Sequence, residues 1–141
     1  MPETLSEAQA IRHILRSYRT VAVVGLSPKP QRDSFGVARY MQTRGWRIIP
    51  INPNTTEILG EKAYPSLLEA AQHERIELVN CFRNSADIAP IVEQAIAIGA
   101  KAVWMQLGIA HSEAAGQARA AGLLVVQNRC LKIDHAVSER I

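Results

Sequence analysis

The chain has 141 residues, and its 16 Lys and Arg against 13 Asp and Glu leave a formal net charge of +3. That length suits a single domain over residues 1–141, large enough to bury roughly two-thirds of its unfolded surface without a disulfide or metal staple. The positive excess forms no dense Lys/Arg stripe, which disfavours nucleic acid and leaves a small anionic ligand open.

The first predicted element is an N-terminal helix from Leu5 to Ser17. Thr4 and Glu7 have capping-box spacing, and Leu5, Ala8, Ile11, Ile14, Leu15 and Tyr18 recur at helical intervals. Val21–Val24 is then a short continuous apolar run ending at Gly25, as expected of a strand buried on both faces of a parallel sheet. A helix opens at Ser34 and closes at Gly45. Arg47–Ile51 is a second strand, in which Pro50 cannot donate a ladder bond. Asn52 to Pro65 reads as irregular. Ser66 and Glu69 again have capping-box spacing before a short helix. Glu77–Cys81 is a third strand, followed by a helix that Ser85 caps and Gly99 ends. Ala102–Met105 is a fourth strand, Ser112–Ala121 an Ala-rich helix ended by Gly122, and Leu123–Val126 a fifth strand. The residues beyond Val126 read as a polar tail.

Three helices thus end in glycine shortly before a strand, as left-handed C-terminal caps do. Alternating β and α units joined by right-handed crossovers make a doubly wound, Rossmann-like α/β fold with helices on both faces. The expected strand order is 3-2-1-4-5, and the expected ligand site lies past the strands' C-terminal ends, at the switch point beside strand 1.

Four strand ends face that crevice: Gly25–Arg32, Asn52–Asn54, Cys81–Asn84 and Gln106–Gly108. At the first, Gly25 lets the backbone turn sharply. The following amides and the Ser27 hydroxyl can donate to a phosphate, with Lys29 and Arg32 adding positive charge. The same residues also fit a plain tight turn with solvated cations. A full G-x-G-x-x-G is absent, since Ser27 and Pro30 replace the later glycines. Asn52-Pro53-Asn54 stands where dinucleotide folds carry an acid for the ribose, which disfavours NAD. No G-K-[ST] makes a P-loop. No glycine follows Ser27 at nucleophile-elbow spacing, because Lys29 stands there.

Cys81 ends strand 3 facing the crevice. It reads either as a small buried hydrophobe or, with Arg83 nearby to stabilise a thiolate, as a reactive thiol. Arg83 itself reads as a phosphate ligand or an ordinary surface charge. Cys130 and His135, five apart in the tail, do not by themselves make a metal site, and no metal ligand set is assigned. Two cysteines make no disulfide framework. Met1–Gln9 has no apolar secretory core, and no apolar run nears the ~18 residues of a membrane span. A reduced cytoplasmic protein without a membrane role is expected.

The motifs V-A-V-V-G-L-S-P-K-P-x-R-x-S, I-I-P-I-N-P, V-N-C-F-R, W-M-Q-L-G-I and N-R-C-L-K-I-D-H, in this order from Val21 to His135, closely resemble the stand-alone CoA-binding domain family. The fold is similar to the N-terminal domain of the succinyl-CoA synthetase α subunit. The resemblance implies coenzyme A, or an acyl-CoA, as cofactor. It implies Gly25, Leu26 and Ser27 at the pyrophosphate, with Lys29 and Arg32 near the phosphates. It sets Asn52 and Pro53 at the adenosine end, and Phe82, Arg83 and Gln106 to Gly108 along the rest of the crevice. Cys81 stands where relatives often carry an aliphatic residue. Nothing matches the synthetase's phosphohistidine domain, and the length disfavours that ligase reaction, so binding without catalysis is the leading expectation. The alternatives are an enzyme or enzyme subunit acting on a CoA thioester, and an NAD-type nucleotide-binding protein. No protein partner is assigned.

Overall fold

Residues 5–140 are described by a computed structural model. In chain order the elements are α1 (Glu7–Ser17), β1 (Thr20–Val24), α2 (Asp33–Thr43), β2 (Arg47–Ile51), β3 (Glu57–Ile58), β4 (Glu61–Lys62), α3 (Leu67–Ala70), β5 (Leu78–Cys81), a 3-10 turn (Ser85–Asp87), α4 (Ile88–Ala97), β6 (Ala102–Met105), α5 (Ser112–Ala120), β7 (Leu124–Val126) and α6 (Leu131–Ser138).

Local chemistry sets these boundaries, and in places not where sequence spacing suggests. Ser6 rather than Thr4 caps α1. The Ser6 hydroxyl accepts the Gln9 amide at 3.1 Å, and the Ser6 amide donates to Gln9 Oε1 at 2.9 Å. Thr4 lies outside the described residues. Helix α2 begins at Asp33, with Arg32 in the cap position and Ser34 buried in the first turn. Ser85 does not cap α4. It opens the 3-10 turn, and its hydroxyl accepts the Ala110 amide at 3.1 Å. The stretch expected to be irregular holds the antiparallel β3–β4 hairpin, and the expected polar tail holds a helix, α6. Pro50 sits inside β2 without harm. That strand is an edge of the main sheet, and Pro50 turns its carbonyl outward to the Tyr64 amide (2.9 Å), so its missing N–H falls away from β1.

The main sheet is five-stranded, parallel throughout, and Rossmann-like as expected. Its order corrects the expectation. Counting the five strands along the chain, it runs 2-1-3-4-5 (β2-β1-β5-β6-β7), not 3-2-1-4-5. The cause is the face that α3 covers. Helices α1, α2 and α6 pack on Val21, Val23, Ile48 and Trp104, whereas Leu67 and Ala70 of α3 join α4 and α5 on Ala22, Ile49, Val79 and Val103. With right-handed crossovers, α2 on one face carries the chain outward from β1 to β2. Helix α3 on the opposite face must carry it back past β1 to β5. The switch point therefore lies between β1 and β5.

Candidate functional site

At that switch point β1 ends in Val24 and the backbone turns at Gly25, with φ +86°. A Cβ there would lie 2.6 Å from the Phe82 carbonyl oxygen and 3.1 Å from Arg83 Cδ. Glycine is thus required twice, by a left-handed backbone and by the close approach of the chain leaving β5. The Phe82 amide donates to the Val24 carbonyl (2.9 Å) and the Gly25 amide to the Ile51 carbonyl (3.1 Å). Three strand ends are thereby locked at one point.

The turn after Gly25 is wired internally. The Ser27 amide donates to Ser34 Oγ at 3.0 Å, and the Lys29 amide donates to Ser27 Oγ at 3.1 Å, which leaves the Ser27 hydroxyl proton for another acceptor. Leu26 is fully buried, so its side chain belongs to the core, and its carbonyl accepts Asn52 Nδ2 at 2.9 Å. Asn52 Oδ1 accepts the Asn54 amide at 2.7 Å. The neutral residue after β2 therefore ties two loops together, a task that needs both an amide donor and an amide acceptor. No side chain caps α2, and its Phe35 and Gly36 amides already donate to the Arg32 carbonyl, which leaves the Asp33 and Ser34 amides available to an anion, although the Asp33 carboxylate stands in the same turn.

Two lobes flank this junction. The smaller, about 510 Å³, is bounded by Gly25, Ser27, Pro28, Asn52, Pro53, Pro65 and Ile91. The larger, about 730 Å³, is bounded by Arg32, Gly36, Phe82, Gln106, Gly108, Cys130 and Lys132. Arg83 borders both, with its side chain half exposed and one guanidinium nitrogen 3.8 Å from Asp87 Oδ2. The structure thus gathers ten of the twelve residues that the resemblance set at the crevice. Leu26 and Lys29 line neither lobe.

Behind Gln106, on the wall of the larger lobe, lies a polar network whose other members sequence reasoning left without a role. Asn80, fully buried in β5, donates through Nδ2 to the Trp104 carbonyl and to Gln106 Oε1, both at 3.3 Å. The Leu131 amide donates to the same Gln106 oxygen at 3.3 Å. Asn128, at φ +56°, accepts the Gly108 amide at 2.7 Å, and the Arg129 carbonyl accepts Trp104 Nε1 at 2.8 Å. Arg129 then grips the buried Asp134 with two 2.8 Å bonds. These contacts fasten residues 128–134 over the end of β6 and bring Cys130, Lys132 and Ile133 to the lobe. The N-R-C-L-K-I-D-H motif was visible, but nothing in its spacing showed that a helix folds it back onto the sheet.

Cys81 does not face the crevice. It is fully buried in the layer under α3, α4 and α5, and burial pushes its thiol up to about 12. Arg83, expected to activate it, is directed elsewhere, and a thiol so desolvated is a packing residue.

With this geometry in place, comparison with known proteins decides the family. Residues 19–136 match the family described as a CoA binding domain. The chain belongs to the CoA-binding domain family. It is similar to the uncharacterized protein YneT of Bacillus subtilis, at 38% identity over 92% of this chain and 94% of YneT. Among solved structures it resembles a hypothetical protein from Pyrococcus horikoshii, with 41% identity, a TM-score of 0.87, and coverage of 97% and 98% of the two chains. The fold also recurs in a dinucleotide-forming acetyl-coenzyme A synthetase of Ca. Korarchaeum cryptofilum (TM-score 0.68, 20% identity). There 80% of this chain is matched to 26% of the larger protein. No helix among the described residues is long and apolar enough to cross a membrane.

Proposed function

We propose that this CoA-binding-family chain holds coenzyme A, or an acyl-CoA, across the two lobes and catalyses no reaction itself. The observation that carries the reading is the Gly25–Phe82–Arg83 junction. A tight, glycine-dependent turn meets a cation that borders both lobes, which suits a ligand with a pyrophosphate in the middle and a different group at each end. In this reading the pyrophosphate lies by Gly25, the Leu26 backbone, Ser27 and Arg83, with Lys29 and Arg32 adding positive potential. The adenosine end occupies the smaller lobe beside Asn52 and Pro53, where the residues after β2 bring no carboxylate against a phosphorylated ribose and the lobe's Asp87 is turned to Arg83. The pantetheine arm runs through the larger lobe past Phe82, Gln106 and Gly108. Among the described residues no histidine lines either lobe, and the lining carboxylates are one to each lobe, Asp33 in the larger and Asp87 beside Arg83 in the smaller, which favours binding over paired acid–base chemistry. Two free cysteines fit a reducing cytoplasm.

Calorimetry with CoA, dephospho-CoA and NAD tests this. CoA is expected to bind tightest and dephospho-CoA more weakly, for want of the ribose phosphate. Tightest binding of NAD, or no binding of CoA at millimolar concentration, would overturn it.

A further inference from the structure

Two segments that border the larger lobe carry their residue types inside out. Past the end of β6 the polar Gln106 is buried, and the next residue, Leu107, is 64% exposed. In α6 the polar Asp134 and His135 are buried, whereas Ile133 is 56% exposed and Val137, one turn further on, is also exposed. The buried polar groups have tasks, since Gln106 Oε1 accepts the Leu131 amide at 3.3 Å and Asp134 pairs with Arg129. Single hydrophobic residues on a surface need no explanation, but Leu107 and Ile133 are not scattered. One follows Gln106 and the other lies two residues past Leu131, so the bond between those two brings them to one place. Both line the larger lobe, where Val37, Phe82 and Ile109 add to the apolar wall. Among the described residues no exposed large hydrophobic lines the smaller lobe.

The cations of the larger lobe have other company. The Lys132 ammonium lies 5.7 Å from the centre of the Tyr40 ring, Arg83 faces Asp87, and Arg32 shares the start of α2 with Asp33. This wall suits hydrocarbon better than a second carboxylate. We propose that the ligand is a CoA thioester with an unbranched apolar acyl chain, which lies in the larger lobe against Leu107 and Ile133. The inference rests on the reading of the crevice as a CoA site. In that reading the pantetheine arm passes Gln106 and Gly108, so the group carried on its sulfur meets the residue between them. Each methylene that the wall covers strengthens binding by about two- to fourfold, the range for partial to full burial.

Calorimetry on the full chain with CoA and with acetyl-, butyryl-, hexanoyl- and succinyl-CoA tests this. Affinity is expected to rise along the apolar series, by at least about tenfold from acetyl- to hexanoyl-CoA. Succinyl-CoA, with a carboxylate on a chain as long as the butyryl group, should bind more weakly than butyryl-CoA. Leu107→Ser and Ile133→Ser, both at exposed positions, should each flatten the rise. Leu68→Ser, an exposed hydrophobic that lines neither lobe, should leave it as steep as in the wild type. An affinity that is flat or falls along the series, a preference for succinyl-CoA, or a slope unmoved by Leu107→Ser and Ile133→Ser would overturn the inference. So would a ligand-free dimer that both variants dissociate, because a second copy of the chain would then cover these residues. If CoA itself binds in those cases, the reading of the crevice stands. If neither CoA nor any thioester binds the wild type, it is that reading that fails.

Discussion

Gly25→Ala is the sharpest test of how the crevice is built. The new Cβ would meet the Phe82 carbonyl oxygen at 2.6 Å and Arg83 Cδ at 3.1 Å, from a backbone at φ +86°. An L side chain in left-handed backbone costs about 1–2 kcal/mol. The overlap adds about 1–3 kcal/mol, because a main-chain carbonyl held by the sheet cannot swing aside as a side-chain tip would. The sum is about 2–5 kcal/mol. An unfolding entropy of about 0.3 kcal/mol/K for a chain of this size turns that into a fall in Tm of about 7–17 °C. Gly45→Ala supplies the control. Its φ is +88°, but a Cβ there meets nothing within 4 Å, so only the conformational cost of about 1–2 kcal/mol applies. Thermal unfolding followed by circular dichroism, with CoA calorimetry on each variant, separates the two effects. If Gly25→Ala is no more destabilising than Gly45→Ala, the close approach between the β1 and β5 exits is not as described. If its CoA affinity also stays unchanged, that junction is not where the ligand is held.

Three further outcomes follow from the same structure. Ser27→Tyr, on the wall of the smaller lobe beside Gly25, should weaken CoA binding by at least about tenfold (1.4 kcal/mol) and lower Tm by less than about 5 °C; unchanged affinity by calorimetry would show the pyrophosphate lies elsewhere. Arg129→Ala removes two 2.8 Å bonds from the buried Asp134 carboxylate and should cost about 1.5–3 kcal/mol in urea unfolding, with Arg129→Lys restoring only part of it because an ammonium cannot form the fork. Burial lowers the pKa of His135, which lies within 3.0 Å of the Tyr40 hydroxyl between α2 and α6. The folded state then binds its proton less readily than the unfolded chain. Its contribution is therefore present above the ordinary histidine range near ~6.5 and is lost as pH falls through the lowered value. Urea unfolding from pH 7.5 to 5 should show stability declining in the wild type and a flatter profile in His135→Gln; identical slopes would contradict the assignment.

Much of the fold is legible in the chain itself, because the signals are local. The run Val21–Val24 is apolar at every position because both faces of β1 are covered, and Ile48–Ile51 and Ala102–Met105 announce themselves the same way. The crevice residues could be named in advance for a related reason. In a parallel sheet all strand exits lie on one edge, so Gly25, Asn52, Phe82, Arg83 and Gln106 converge whatever the strand order. The order itself depended on which face the four-residue α3 covers, and Leu67 and Ala70 are equally apolar toward either side.

Tertiary structure alone also decided the fate of the two cysteines. Successive strand side chains point to opposite faces, so the last residue of β5 could look into a helical layer or toward solvent, and packing under α4 sends Cys81 into the core. Cys130 followed an apparent tail whose residues are too polar to read as a core helix. It reaches the crevice only because Asn128, Arg129 and Leu131 find partners in Gly108, Asp134 and Gln106. Sequence by itself determined the elements and the edge where they end. The contacts between distant segments, which depend on side chains meeting in three dimensions, determined the strand order, the shape of the two lobes and which thiol stands in them.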